Sequence, residues 1–427
     1  MQNLTIDFLT YLQAKSQMIT DDILERAKDC LCDYLAVTEA GAHANDNRWE
    51  IFYTHAPSGK VPVIGTNVVT EGKTACLVNG YNAHSLELDD GHRFGMIHLG
   101  ASIITALHSA MIENNISQEK VLIGIVMGYE AACRLAIAIQ PSHKKRGFHT
   151  AGTCGTIGAA VGVAFALDMN MKQMQTVLAS AVASAAGMLE IQEQCSELKP
   201  YNLGRAAMDG LAAAYMGFTN FVGPDDMLGG ERGFLQLFCN ESKPNKAIEQ
   251  QDYFEIERIY VKPYAACRHC HSAMEAALML RESINIEEIE EISVETYRLA
   301  VKGHDHTEIH GRSSAKLSIP YSVAVSFVLG RGDVAAFDLE NVKRQDILQL
   351  TKKVVVKEKE EFSLYSPQKR IAKVIVQLKD GTVKEQQVDY AKGEPENPMS
   401  REEIKKKVEE LLGKDSAWQL IQKVYFN

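Results

Sequence analysis

A short acidic and imidazole-rich segment holds the densest set of chemically active side chains in this chain. Residues 84–100 contain three carboxylates and three imidazoles, at Glu87, Asp89, Asp90, His84, His92 and His98. Buried carboxylates must find partners or bind protons, so such density is costly in a core and usually marks a site. The alternative is a solvated turn between two helices, with Asp90-Gly91 as its stop signal.

Further segments downstream carry isolated imidazole or cationic groups. His149 directly precedes a segment of small residues with helical character, and a helix N-terminus lowers the pKa of an imidazole. That position favours a neutral base or donor, and a helix-capping histidine is an equal alternative. Lys199 and Arg205 stand at the start of an alanine-rich helix, where an anion could bind, and the alternative is a solvated loop with two surface cations.

A cysteine-containing segment follows Lys262. Cys267, Cys270 and His271 match the pattern that attaches c-type haem, and Cys/His clusters also bind zinc. Haem attachment requires export, and a zinc site requires a further ligand pair at suitable spacing, which the sequence lacks. We therefore expect no metal here. The last candidate is Tyr321, whose phenol could donate a proton or lie in the core with a satisfied hydroxyl.

Composition restricts the class of protein. With 427 residues, 46% hydrophobic and 23% charged, the chain is expected to be globular with two or three domains. A net charge of −10 argues against nucleic acid and anionic membranes as partners. Nine scattered cysteines and an N-terminus without signal-peptide character predict reduced thiols and a cytoplasmic location. The uncharged stretch 150–167 is too rich in Ala, Gly and Thr to predict a membrane span.

Apolar periodicity predicts the elements that must position these groups. Helices are expected after Thr20 and near 74–87, 101–113, 119–139, 150–167, 171–188 and 206–218. Alternation predicts strands at 254–261 and 290–297 and a hairpin at 371–378 and 382–388, with helices at 272–281 and 315–329 and a capped helix after Ser400. The expected protein is mainly α, with a large all-helical domain (1–252), a smaller inserted α+β lid domain (253–395) and a helical tail (396–427).

Taken together and in this order, the segments resemble the MmgE/PrpD family, which includes 2-methylcitrate dehydratase, cis-aconitate decarboxylase and iminodisuccinate epimerase. The matching positions lie at 79–90, 147–149, 199–207, 217–223, 230–234, 262–271 and 315–321. The resemblance implies a helical domain and an α+β lid with the active site between them, usually in a homodimer. It also implies catalysis without an iron–sulfur cluster, metal or other cofactor.

Carried over position by position, the resemblance also implies a set of site residues. The catalytic pocket would contain His98, His149, Lys199, Lys262 and Tyr321. Glu87 and Asp90 would lie behind them, with Arg268 and His271 as second choices for binding substrate. The chain has Gly91, Leu99 and Glu87 where the family frequently has Thr, Pro and Asp, which leaves the exact substrate open.

These groups predict a cofactor-independent lyase of the 2-methylcitrate dehydratase type that acts on a small di- or tricarboxylate. Fixed cations neutralise substrate carboxylates and stabilise the charge that builds when a neighbouring carbon loses a proton. Decarboxylation of cis-aconitate or epimerisation of an imino-dicarboxylate is the alternative, because the same His/Lys/Tyr set could serve all three reactions. From another class, a non-catalytic dimeric binding protein is the competing interpretation.

Overall fold

The computed structural model describes residues 3–45 and 48–426, and these form a mainly α protein. Helices account for 59% of the chain and strands for 9%, which confirms the predicted fold class. Two hydrophobic cores organise it. The first joins the N-terminal helices to the C-terminal tail, and the second spans residues 265–391. We call these two parts the helical domain and the lid.

The helical domain begins near the N-terminus and extends to about residue 260. Its helices are α1 (Leu4–Ser16), α2 (Asp21–Ala44), α3 (Glu50–Thr54), α4 (Gly72–Ser85), α5 (Gly100–Asn114), α6 (Gln118–Ile139), α7 (Ser142–Lys145), α8 (Thr150–Ala166), α9 (Met171–Ser184), α10 (Tyr201–Tyr215), α11 (Phe234–Phe238) and α12 (Asn245–Ile248). Two short strands, β1 (Val61–Pro62) and β2 (Val69–Thr70), pair antiparallel beside them.

Close packing of α6 against α8 explains the small-residue stretch in the sequence. A Cβ atom added to Gly162 would lie 2.7 Å from the carbonyl oxygen of Gly124, so only glycine permits this approach. Helix α6 is the one helix of the described residues long and apolar enough to cross a membrane, and 89% of its apolar window is buried inside the protein. That burial is typical of a core helix.

The lid consists of a four-stranded sheet covered by helices. Its elements are α13 (His271–Arg281), β3 (Ile289–Thr296), α14 (Arg298–Val301), α15 (Arg312–Leu317), α16 (Ile319–Leu329), α17 (Leu339–Val342), α18 (Gln345–Thr351), β4 (Val354–Glu358), α19 (Glu360–Tyr365), β5 (Ala372–Leu378) and β6 (Val383–Val388). The strand order is β4-β3-β5-β6, with β3 parallel to β4 and antiparallel to β5. Gly381, at a φ of 87°, turns the predicted β5–β6 hairpin.

The C-terminal tail packs against the helical domain. It forms α20 (Arg401–Leu412) and α21 (Lys414–Tyr425), and α20 packs on α2. Ser400 caps α20 in a reciprocal pair with Glu403, which confirms the predicted start of this helix. Lys407 of α20 also donates to Asp33 and to the carbonyl of Leu88, which ties the tail to the acidic segment.

Two predicted elements are wrong in detail. Residues 254–261 are not a strand: the chain forms a short 3-10 turn at Glu255–Arg258, because Ile256 and Ile259 both enter the core of the helical domain. The single helix expected at 315–329 breaks at Ser318, which instead caps α16 by accepting a hydrogen bond from the Tyr321 backbone. Pro320 in the first turn of α16 has no N–H for a continuous helix.

Candidate active site

A cleft lies between the helical domain and the lid, with a cavity volume of about 110 Å³. Its walls come from the end of α4, the turn before α10, and α15 of the lid. The charged and imidazole side chains on these walls are Arg48, His84, Glu87, Glu197, Lys199, Arg312, Lys316 and Asp338. The cleft therefore carries fixed charges of both signs, with cations contributed from both sides.

The acidic segment is anchored at this cleft by its apolar residues. Leu86 and Leu88 both enter the core of the lid, although they follow directly from α4 of the helical domain. Glu87 stands between them with a φ of 52°, a left-handed conformation that is unfavourable for a residue other than glycine. Lys262 Nζ donates to the carbonyl oxygen of Glu87 at 3.0 Å and so helps to hold this turn.

Glu87 and Asp89 form the centre of a buried charge cluster. Glu87 pairs with Lys199 through one carboxylate oxygen and with Lys262 Nζ at 3.2 Å through the other. Asp89 lies 3.3 Å from Lys262 Nζ and accepts a hydrogen bond at 2.8 Å from His84 Nδ1. Lys262 has no exposed surface, so its ammonium serves these two carboxylates. Helical domain and lid thus meet around one ion-pair network.

The network keeps its carboxylates ionised. Burial by itself would raise the pKa of Glu87, but the cations around it, Lys199 foremost, hold that pKa well below its ordinary value. Asp89 behaves in the same way, with burial opposed chiefly by His84. Burial likewise opposes the charge on Lys262, whereas the two carboxylates raise its pKa.

Two imidazoles in this cluster adopt different protonation states. Both nitrogens of His84 face carboxylates, with Nε2 3.3 Å from Glu87, and these charges raise its pKa although burial lowers it. His98 is different, because burial lowers its pKa to about 4. Its Nδ1 faces only acceptors, the carbonyl of Asp90 at 2.9 Å and the carboxylate of Asp89 at 3.3 Å. Neutral His98 therefore carries its proton on Nδ1 and leaves Nε2 as a base.

His149 presents the opposite tautomer. It is the N-terminal cap residue of α8, and burial lowers its pKa well below the ordinary value, with Lys199 adding to the effect. Asn202 donates its amide N–H to His149 Nδ1 at 3.0 Å and to the carbonyl of Met188 at 3.3 Å, which fixes the orientation of the amide. The His149 proton must then lie on Nε2, so this imidazole is a donor.

The structure gives Asp90 a positioning role instead of contact with the cleft. Its carboxylate accepts hydrogen bonds from the backbone of Leu99 and Gly100, the first N–H groups of α5, and from Tyr129 Oη. Burial raises its pKa to about 6. The carbonyl of Asp90 meanwhile orients His98, so one residue fixes both the helix and the imidazole before it.

Of the predicted site residues, Glu87 and Lys199 line the cleft, whereas His98 and Lys262 contact the buried network through Asp89 and His149 is buried beside Asn202. Tyr321, Arg268 and His271 lie outside both the cleft lining and the network. Tyr321 donates its hydroxyl to the carbonyl of Ala336 at 3.0 Å within the lid core, the satisfied state that was the alternative for this phenol. Arg268 binds Glu394 and donates to His271 Nδ1 at 2.8 Å. His271 Nε2 donates a hydrogen bond to the carbonyl oxygen of Ala266, so both ring nitrogens of His271 have partners within the protein. The hydrogen bonds of Arg268 and His271 hold the segment around residues 266–271 in place.

Sequence reasoning missed two cations on the lid side of the cleft. Lys316 Nζ donates to the carbonyl of Ser85 at 3.1 Å, and burial lowers its pKa to about 8. In the described part of the chain no carboxylate lies within 4.0 Å of this ammonium. Arg312, one turn earlier on α15, has a buried Nε without a partner and reaches only Asp338, at 3.7 Å. Residues 315–321, one of the stretches that resemble the family, include Lys316, but the sequence gives no reason to prefer it over Tyr321.

Two groups of side chains have ligand atoms close enough to consider a metal ion. They are His84, Asp89 and His98 in the cluster, and Cys267, His269 and His304 in the lid, each with ligand atoms within 4.8 Å of one another. In the first group Asp89 is already neutralised by Lys262 and His84, and a dication there would meet two fixed positive charges. The arrangement suits proton transfer and carboxylate binding better than metal binding.

Comparison with known proteins places the chain in a family. The MmgE/PrpD N-terminal domain matches residues 8–247, and the MmgE/PrpD C-terminal domain matches residues 264–421. Cis-aconitate decarboxylase from Aspergillus terreus is 26% identical over 92% of this chain and 86% of its own length. The Mus musculus and Homo sapiens enzymes of the same name are 23% and 24% identical, over 95% and 99% of this chain and 87% and 90% of their own lengths. These matches confirm the predicted resemblance: the chain belongs to the MmgE/PrpD family.

Proposed function

We propose that this protein is a lyase that binds a small tricarboxylate in the cleft and forms a carbanion next to one of its carboxylates. The observation that carries the proposal is the buried network around Glu87 and Asp89, with the neutral imidazole of His98 at its edge and two lid cations, Lys316 and Arg312, on the same cleft. The family supports lyase activity, and the relatives named above are cis-aconitate decarboxylases. The network supplies fixed charge and proton-transfer groups without a cofactor.

Substrate carboxylates are assigned to the lid cations. Lys316 and Arg312 face the cleft from α15 and lack the close carboxylate partners that Lys199 and Lys262 have. A buried ammonium or guanidinium that meets a substrate carboxylate gains a charge-assisted hydrogen bond that water would otherwise weaken. The tricarboxylate would therefore bridge the lid to Lys199 and complete a set of ion pairs that is unfinished in the free protein.

Decarboxylation of cis-aconitate is the first reaction we propose. In this reaction the bond to one carboxylate carbon breaks, carbon dioxide leaves, and the electron pair spreads into the remaining unsaturated acid. Cations on the retained carboxylates stabilise that charge. A proton must then reach carbon, and we assign this transfer to the network around Glu87, which holds the ammonium of Lys199 at the cleft wall and the neutral imidazole of His98. This reaction, the alternative in the sequence analysis, fits the relatives at least as well as dehydration does.

Dehydration of the 2-methylcitrate type is the second candidate, and the two tautomers favour it. His98 offers an unprotonated Nε2 and His149 a protonated one, so the site holds a base and a donor on separate elements. An elimination needs a base for the carbon proton and an acid for the leaving hydroxide. The relatives do not distinguish this reaction from decarboxylation for the present chain.

Substrate profiling by NMR tests the proposal. Purified protein is incubated separately with carbon-13-labelled cis-aconitate, 2-methylcitrate, citrate and iminodisuccinate, and the products are followed with time. Release of labelled carbon dioxide from cis-aconitate supports the first reaction, whereas a new olefin from 2-methylcitrate supports the second. Lys199→Ala is the matched inactive control. Binding of these acids without any turnover would contradict the lyase proposal and favour a binding protein.

A further inference from the structure

A second group of titratable side chains lies directly behind the lid wall of the cleft and takes no part in the proposed reaction. It consists of Cys267, His269 and His304, which we call the thiol cluster. The backbone N–H of Cys267 donates to the carbonyl oxygen of Lys316 at 2.8 Å. Lys316 and Leu317 both line the cleft, so the thiol cluster is attached to the wall that meets the substrate.

Cys267 and His304 are arranged as a nucleophile and its base. The thiol Sγ lies 4.0 Å from His304 Nε2. His304 Nδ1 donates to the carbonyl oxygen of Leu317 at 2.8 Å, so Nε2 is the nitrogen free to accept the thiol proton. A nucleophile, a base and a third group that orients the base is the arrangement by which proteins activate thiols. Here the orienting group belongs to the cleft wall itself.

The electrostatic surroundings of Cys267 favour the thiolate. Burial by itself raises the pKa of this thiol, but His304 outweighs it and lowers the pKa to about 6. The thiolate in turn raises the pKa of His304. The titratable groups whose charges act on this pair are Glu87, Lys144, Lys199, Lys262, Cys270, Tyr297 and His269. Cations outnumber carboxylates among them, as expected around a reactive thiol.

We propose that Cys267 is a reactive thiolate, activated by His304, that forms covalent adducts with small anionic electrophiles entering the cleft. The choice of carboxylates as ligands rests on the proposed function, because the same lid cations would attract them. The reactivity of the thiol itself rests only on the thiol cluster. Cys270, three residues on, has a pKa raised well above its ordinary value by burial and therefore serves as an inert neighbour.

The chemistry of adduct formation balances without a further reactant. With an α,β-unsaturated carboxylate, the sulfur electron pair forms a bond to the β-carbon while the carbon–carbon π bond breaks. The electron pair of that π bond takes a proton at the α-carbon, and the imidazolium of His304 supplies it. With a haloacetate, the sulfur–carbon bond forms as the carbon–halogen bond breaks and halide leaves. A divalent metal would be a weaker occupant, because it would meet the cations that surround this thiol.

Carboxymethylation of the full-length native protein tests the proposal. The protein is treated with iodoacetate or with neutral iodoacetamide between pH 5 and 9, and each cysteine is quantified by peptide mass spectrometry. Labelling of Cys267 should be half-maximal near pH 6, the pKa to which His304 lowers this thiol, and nearly constant above pH 7. The ratio of the iodoacetate rate to the iodoacetamide rate should be roughly 10-fold higher for Cys267 than for free glutathione, because cations outnumber carboxylates around this thiol. The pH profile is more diagnostic than the rate at pH 7, since nucleophilicity falls with pKa.

Two variants test whether the thiol cluster is what makes Cys267 react at low pH. His304→Gln should shift the half-maximal pH of Cys267 labelling toward that of an ordinary thiol, whereas Cys270→Ser, the matched control, should leave it unchanged. Protection of Cys267 by cis-aconitate would support the proposed function as well; labelling without protection would leave the reactive thiolate standing and count against tricarboxylate binding in the cleft. Absence of Cys267 labelling in the native protein, or labelling that rises only above pH 8 without anionic preference, would overturn the inference.

Discussion

At the scale of single residues, protonation state decides what each group in the cleft can do. Four buried groups differ here. Burial lowers the pKa of His84 but two carboxylates outweigh it and raise that pKa, whereas burial lowers the pKa values of His98 and His149, whose tautomers are opposite, and lowers the pKa of Lys316 to about 8. The sequence predicted His98 and His149 as candidate site residues but could not assign their tautomers, because these depend on the Asp90 carbonyl and Asn202.

The pKa of Lys316 predicts how activity depends on pH. The ammonium form is needed to hold a substrate carboxylate, and it is lost as the pH rises through about 8. We therefore expect kcat/KM, which reports the free enzyme, to fall roughly 10-fold per pH unit above that value. In Lys316→Arg the fall should vanish, because a guanidinium stays charged. A pH profile of kcat/KM for both proteins checks this, and an unchanged alkaline limb in the variant would contradict the assignment.

Lys316 also predicts a difference in substrate affinity. Lys316→Ala should raise KM for a tricarboxylate by roughly 10- to 100-fold, since one buried charge-assisted hydrogen bond contributes about 1.5–3 kcal/mol. Lys343→Ala, at an exposed position of the same lid, is the matched control and should change nothing. Steady-state kinetics on the substrate found by NMR gives the answer. Equal KM values in the two variants would remove Lys316 from the substrate site.

At the scale of elements, the sequence predicted what local patterns determine and missed what tertiary packing determines. Helices α4, α5, α6 and α8 and strands β3, β5 and β6 follow from periodicity and turn chemistry. Strand β4 was missed because it pairs parallel with β3, each residue with a partner 62 positions further along the chain, a contact with no local signal. Tyr321 was predicted to lie in the site because a sequence motif identifies a residue but does not show where its side chain points. The structure directs this side chain into the lid core.

The cap of α5 predicts a pH-dependent contribution to stability. The folded-state pKa of Asp90 is raised from 3.8 to about 6, so the folded protein binds this proton more tightly than the unfolded chain. Stability from this group is therefore present below pH 4 and is lost as the pH rises from 4 to 6. The free energy of unfolding of Asp90→Asn minus that of wild type should therefore increase by about 2–3 kcal/mol when the pH is raised from 4 to 7. Urea unfolding at both pH values measures it, and a constant difference would contradict the raised pKa.

At the scale of the whole molecule, one network joins the two cores. Leu86 and Leu88 enter the lid core from the helical domain, and Lys262 returns from the other direction to hold Glu87 between them. The acidic segment thus connects the two cores and contributes the carboxylates of the ion-pair network. This coupling explains why the segment combines apolar and acidic residues in alternation, a pattern that looked ambiguous in the sequence.

The family resemblance predicts a homodimer. An exposed apolar segment, with Phe218, Phe221 and Val222 between 57% and 79% exposed, is a candidate for burial in such an assembly. Light scattering coupled to size exclusion should give twice the chain mass of 47.2 kDa. Phe221→Asp should shift the mass toward the monomer, with Val383→Asp in an exposed strand position as the control. A monomeric wild-type protein at micromolar concentration would contradict this expectation.

The central claim, that the network around Glu87 and Asp89 supports catalysis through His98, is tested most directly by replacing that imidazole. His98→Ala should lower kcat by roughly 10²–10⁴ with little change in KM, as expected for loss of an acid–base group. His92→Ala is the structural control, because His92 lies in the same segment but pairs with Glu255 in the core. This variant should lower Tm and leave the kcat of the folded protein near normal. Near-normal kcat in a folded His98→Ala protein would contradict the account.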